Sequence, residues 1–305
     1  MGILQRLKNQ EGAVAVMAAA AMVGLLGLAA VVVDAGLLYV AKARLANIAD
    51  AAALAGAQEL LPGRGGDPYG VARDYAAQNG LGAYPSDTID VTCDASSVTV
   101  TVSRTLPLFF APVYGYRSAT VSATATAAAG AVAEVTGAVP LAVEKQQFIY
   151  GASYTLKEGG GGGTTGNFDA LALGGKGADV YEINLAYGYS DVLHVGDWVY
   201  TKTGDMSGPT TSGITTRLNA DPTATFPPDN LNSPRVVIVP VVDSLDVNGS
   251  KPVQIVGFAA FFLEGVGGSG SSNYVTGRFI QIPAAASITT DPNAYYGVFN
   301  IRLVN

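Results

Sequence analysis

The chain of 305 residues has one cysteine, Cys93, and one histidine, His194. A single cysteine excludes an intrachain disulfide and a thiolate metal cluster. A single histidine excludes a multi-histidine metal site, and any Ser-His-Asp triad has to run through His194, which no G-x-S-x-G elbow accompanies. Charge is scarce too, at 13% of residues against roughly 25% in ordinary soluble proteins. Residues 1–130 carry 8 Lys or Arg and 9 Asp or Glu, residues 131–305 carry 9 and 15, and the net charge is −7. No basic face is clustered, so a nucleic-acid partner is not expected.

The motifs that usually carry chemistry are missing as well. Gly174-Gly175-Lys176-Gly177 has glycine where a phosphate loop needs Ser or Thr, and the glycines at 159–163 are read as a flexible loop. Asp243, Asp246, Asn248 and Gly249 lack the spacing and terminal Glu of an EF-hand; Asn248-Gly249 is first a turn signal, with an irregular calcium loop as the lesser reading. Cys93, alternating with Ile89 and Val91, reads as a buried strand residue, and His194 as a strand or turn residue. No catalytic, cofactor-binding or metal-binding residue is assigned, no cofactor is expected, and the chain is read as a non-enzyme.

What is abundant is apolar helix. Residues 13–33 contain no charged or strongly polar side chain over 21 positions. At about 1.5 Å per residue this spans roughly 30 Å, the hydrocarbon thickness of a bilayer. The run exceeds the ~7–15 apolar residues of a cleavable leader and is read as a membrane helix. Ala20, Gly24 and Gly27 fall on one face at small-residue spacings suited to close helix approach. Asp34 lies one heptad beyond Gly27, where the run ends, and is read as a boundary marker exposed to headgroups. Arg6 and Lys8 before the run are matched by Lys42 and Arg44 after it, so the positive-inside rule alone does not orient the span.

The helical pattern continues without proline to Pro62. Leu38, Ala41, Leu45, Ile48, Ala52 and Ala55 recur at alternating spacings of three and four, a stripe that needs a cover and is expected to dock on a sheet. These residues carry a resemblance. Gly12-Ala13-Val14-Ala15-Val16, then Val33-Asp34-Ala35-Gly36 with Tyr39, and above all Leu45-Ala46-Asn47-Ile48-Ala49-Asp50-Ala51-Ala52-Ala53-Leu54-Ala55, resemble the N-terminal segment of the TadE/TadG-like proteins of the tight-adherence (Flp) pilus system. The resemblance covers the first sixth of the chain. It implies a single-pass protein of the bacterial cytoplasmic membrane with most of its mass extracytoplasmic, and partners among other pilus or envelope-assembly subunits, with self-association among the options. Two departures stand out: the D-x-S-x-S metal motif of some TadG proteins is missing, and Met17 occupies the place where processed pilins carry Glu after the cut glycine.

Beyond the helix, Asp67-Pro68 reads as a helix start and Asn79-Gly80 as its end. Period-two alternation then predicts strands around Ile89–Cys93, Val98–Val102 and Ala119–Thr126. The fold class expected is α+β: a transmembrane helix continuing into a pilin-like helix plus small antiparallel sheet, followed by an all-β sandwich or barrel. The organisation read from it is a cytoplasmic tail (1–12), membrane helix (13–33), pilin-like domain (34–129), linker (130–137) and β-rich domain (138–305). Glycine clusters separate β-prone runs in the last part, 178–185 among them. Its low-charge surface is expected to display Tyr181, Tyr187, Tyr189 and Tyr200 to other subunits or the wall. The function expected is a structural component of a tight-adherence pilus or related envelope assembly; the alternative is an anchored or secreted envelope hydrolase or carbohydrate-binding protein using paired carboxylates and exposed aromatics of the second domain.

Overall fold

The computed structural model describes residues 10–157, 167–289 and 291–304. The glycines at 159–163, and Arg6 and Lys8 of the N-terminal tail, lie outside the described residues. The fold is α+β, a long apolar N-terminal helix followed by a sheet-rich region whose sheets are all open. The chain divides into two compact units, one running to Ala128 and including the C-terminal residues from Arg302, the other Ala129–Ile301.

In the first unit a single helix, α1 (Gln10–Gln58), runs unbroken for 49 residues, about 74 Å at the standard rise. Alanine dominates it, the residue of highest helix propensity, and the helix gives way before Pro62 to turns that run on to Arg64, whose N–H donates to the Leu61 carbonyl. The second helix, α2 (Pro68–Gln78), begins as the sequence dictates: the Asp67 carboxylate accepts the Tyr69 N–H at 3.0 Å and proline occupies the first turn. Three antiparallel strands follow in the order β1 (Thr88–Cys93), β2 (Ser97–Pro107), β3 (Ser118–Val132). Register pairs Val100 with Ala125 and Val102 with Ala123 on one face, and Thr101 with Thr124 and Ser103 with Ser122 on the other. The Val/Ala face is buried, and α1 packs on β2. Small alanines on β3 and valines on β2 suit a closely approaching helix. Cys93, expected to be buried, ends β1 only half-buried, because the alternation that buries Val91 fades at the strand end.

The second unit centres on one long strand, Pro252–Gly267, in an open sheet ordered Val143–Glu144, Val236–Val242, Pro252–Gly267, Tyr274–Ile280, Ser153–Leu156. Alternate residues of the central strand enter different apolar clusters, Phe258, Ala260 and Phe262 one, Ala259, Phe261 and Leu263 the other. A strand buried on both faces reads as a continuous apolar run, which 255–263 is. Two helices correct the expectation of an entirely β second domain: α3 (Ala178–Tyr187) replaces the strand read at 178–185, and α4 (Ser207–Ala220) packs against it. Tyr181 and Leu185 of α3 and Ile214 of α4 join the cluster holding Phe261. The structure also puts strand into the segment read as a linker, since β3 reaches Val132 and Glu134–Val135 pairs with Leu193–His194.

Candidate functional site

The apolar half of α1 is bare. Large side chains from Val14 to Val33, including Met17, Leu25, Leu26 and Leu28, are exposed, and Ala20 and Gly24 are exposed with them, Gly27 half-buried. A Cβ built on Gly24 or Gly27 would meet nothing within 4 Å. The helix from Val14 to Gln58 is long and apolar enough to cross a membrane. In water such a surface is far larger than a folded unit leaves uncovered without a partner or lipid.

Where that run ends, Asp34 is not presented to headgroups as the sequence led us to expect. It is buried, 6% exposed, and its carboxylate accepts three consecutive backbone N–H groups: Phe109 at 2.8 Å, Phe110 at 3.0 Å and Ala111 at 2.7 Å. These amides open the 3-10 turn Ala111–Tyr114 at the tip of the β2–β3 hairpin, donors that have no partner within the turn. An anion at such an end gains both charge-assisted hydrogen bonds and the local backbone dipole. The turn closes with Gly115 at φ 91°, a left-handed conformation suited to glycine. Lys42, two turns up α1, donates from Nζ to the Ser122 carbonyl of β3.

Farther along α1 the predicted stripe divides. Ala41, Leu45, Ile48 and Ala52 are buried, while Leu38 and Ala55 are half-buried. Ala49, Ala53, Gly56 and Ala57 are buried with them, so the covered face is wider than the stripe. At Gly56 an added Cβ would lie 2.9 Å from the Pro68 carbonyl oxygen, 3.1 Å from Ala72 Cβ and 3.2 Å from Val98 Cγ1. Gly56 is therefore the point where α1, α2 and β2 meet, a role that an isolated glycine in an alanine-rich helix does not announce. Asp87 was likewise not singled out. Its carboxylate takes Arg104 Nε at 2.6 Å and a second Arg104 nitrogen at 2.8 Å, with N–H groups of Gly82 and Tyr84 completing its shell.

Residues 12–59 match the family model described as putative Flp pilus-assembly TadE/G-like. This is a TadE/G-like segment. It spans the bare half of α1, Asp34 and the buried stripe to just past the end of the helix. No curated protein and no solved structure matches the chain.

Outside the TadE/G-like segment the other residues singled out in the sequence are dispersed. His194 is exposed in a two-residue strand, with Nε2 3.3 Å from Glu134 and Nδ1 3.4 Å from Asp197. Gly174 and Gly175 have positive φ and lead into α3, where Lys202 Nζ donates to the carbonyls of Lys176 and Gly177. Asp243 accepts the Gln254 N–H at 3.0 Å, and Gly249 turns with φ 72°. Among the described residues no group of three or more His, Cys, Asp or Glu side chains is placed to hold a metal ion. Tyr187 and Tyr200 are exposed and Tyr189 is half-buried, but Tyr181 is corrected from surface to core: it faces α4 and its hydroxyl lies 3.1 Å from Thr210 Oγ1. A cleft of about 240 Å³ is lined by Glu144, Asp169, Tyr154 and Phe279 among others. That volume is below the roughly 300–1,000 Å³ of typical ligand pockets, and of its two aromatic rings Phe279 is fully buried and Tyr154 half-buried.

Proposed function

We propose that the chain is a membrane-anchored, non-enzymatic structural component of a Flp pilus or related envelope assembly. The bare half of α1 is the membrane span, and unit one stands directly on it, with the second unit extracytoplasmic. The observation that carries this reading is the coincidence of the TadE/G-like match with a helix that changes character at Asp34, largely bare before it and increasingly buried after it.

The line Ala20, Gly24, Gly27 is the surface for a neighbouring span, where small residues let backbones approach. The double variant Gly24→Leu, Gly27→Leu is expected to insert normally and to recover fewer assembly partners on co-purification from native membranes. Recovery at the level of the unmodified chain would remove the packing role.

A further inference from the structure

We propose that the β2–β3 tip, residues 108–116, is a second membrane contact, seated in the headgroup region of the same bilayer that α1 crosses; this rests on the anchored reading above. The tip carries Phe109, Phe110, Val113, Tyr114 and Tyr116, exposed by 69%, 45%, 86%, 70% and 69%. Five large apolar or aromatic side chains exposed within eight residues form a patch that a soluble hairpin ordinarily replaces with polar turn residues.

The occupant follows from position. The three hydrogen bonds to Asp34 pin the amides of 109–111 to the first residue after the apolar run, so the patch sits level with the end of the span. At that level a bilayer presents its interface, the zone in which Tyr and other amphipathic rings are enriched. Local charge agrees: no acidic residue occurs between Asp94 and Glu134, the single carboxylate at the site is saturated by N–H donors, and exposed Arg117 follows the tip. Between residues 95 and 133 no carboxylate opposes contact with anionic headgroups, which attract basic side chains close to the surface. The hairpin then acts as a foot beside the helix, giving unit one two points of support.

The test uses the full chain, reconstituted at about one copy per vesicle of phosphatidylcholine and phosphatidylglycerol so that copies do not meet. Trp198→Phe removes the native indole, and single indoles are then placed by Phe109→Trp, Leu25→Trp or Tyr69→Trp, the last exposed on α2. Phe109→Trp is expected to emit at shorter wavelength than Tyr69→Trp, and to be quenched severalfold more by lipids brominated near the glycerol end. Leu25→Trp is expected to be quenched by lipids brominated near the chain end. Strong acrylamide quenching of Phe109→Trp, with Leu25→Trp still deep, overturns the foot and leaves the anchor standing. Shielding of Phe109→Trp from both acrylamide and brominated lipid also overturns it, in favour of a protein contact. Failure of Leu25→Trp to sense brominated lipid overturns the anchored reading itself.

Discussion

Asp34 shows what one carboxylate does when its position is set by a helix. It stands 75 residues from the first amide it binds. The sequence displays the end of the apolar run and an acidic residue there, which is enough to mark a boundary. It does not display the partner, because backbone N–H groups have no sequence signature. Replacing Asp34 with Ala leaves three donors to find water, whereas Asn keeps one acceptor oxygen. Amide exchange at 109–111 is expected to accelerate by at least about an order of magnitude in Asp34→Ala, the equivalent of one lost charge-assisted bond, and by less in Asp34→Asn. Asp87 makes a second residue-scale prediction. The Arg104 guanidinium holds its carboxyl below the ordinary value, against the opposing effect of burial, with N–H groups of Gly82 and Tyr84 adding to the lowering. A carboxyl with a lowered folded value stabilises the fold above the unfolded value of about 3.9, and that contribution is lost as pH falls through the lower one. Unit one is therefore expected to lose stability on acidification below about pH 4, and Asp87→Asn to flatten that acid limb while destabilising at neutral pH by about 3 kcal/mol, the low end for breaking a buried pair.

At the scale of elements, α1 was legible because its two halves obey different patterns, one apolar all round and one striped at spacings of three and four. Ala41, Leu45, Ile48 and Ala52 of the stripe are buried, Ala49, Ala53 and Gly56 widen the covered face, and α2 packs against α1 with Pro68 and Ala72 at Gly56. Leu45, with no exposed surface, is the largest fully buried side chain of that face. Leu45→Ala is expected to cost about 2–5 kcal/mol in denaturant titration. Gly56→Leu has no space between Pro68 and Val98 and should be less stable still, whereas Gly24→Leu should leave stability unchanged. The strand reading of 178–185 failed for a local reason. Tyr181, Ile183 and Leu185 alternate with Glu182 and Asn184, the period of a half-buried strand, over only five residues, too few to separate strand from helix. The burial of Tyr181, Asn184 and Leu185 is helical in spacing, and Gly213 admits the close approach of α4, where an added Cβ would lie 2.9 Å from Leu185 Cβ.

For the whole molecule, the sequence revealed the apolar span, the helix-plus-sheet plan and the low charge, each written in local composition. It did not reveal the open sheet order of the second unit, where distant strands such as Ser153–Leu156 and Tyr274–Ile280 become neighbours by topology alone. The anchored reading has a bulk consequence: the chain is expected to sediment with membranes through alkaline carbonate and to be released by detergent. Release by carbonate alone would mean that the bare half of α1 is covered by protein rather than lipid.

The outward side of β2 and β3 has its own consequence. Hydroxyls face one another across the strands, Thr99 with Thr126, Thr101 with Thr124 and Thr105 with Thr120, at 2.8, 2.9 and 2.8 Å. From Ser97 to Thr105 and from Ser118 to Thr126 that side has only serine and threonine. Within β2 and β3 that side holds no group that acid can protonate and no charge that salt can screen; the carboxylate on the same face is Asp90 of β1, paired opposite Thr101. The hydrogen bonding between these two strands' hydroxyls is therefore expected to be the same in acid and in salt, with Asp90 the one neighbour on β1 that responds to either.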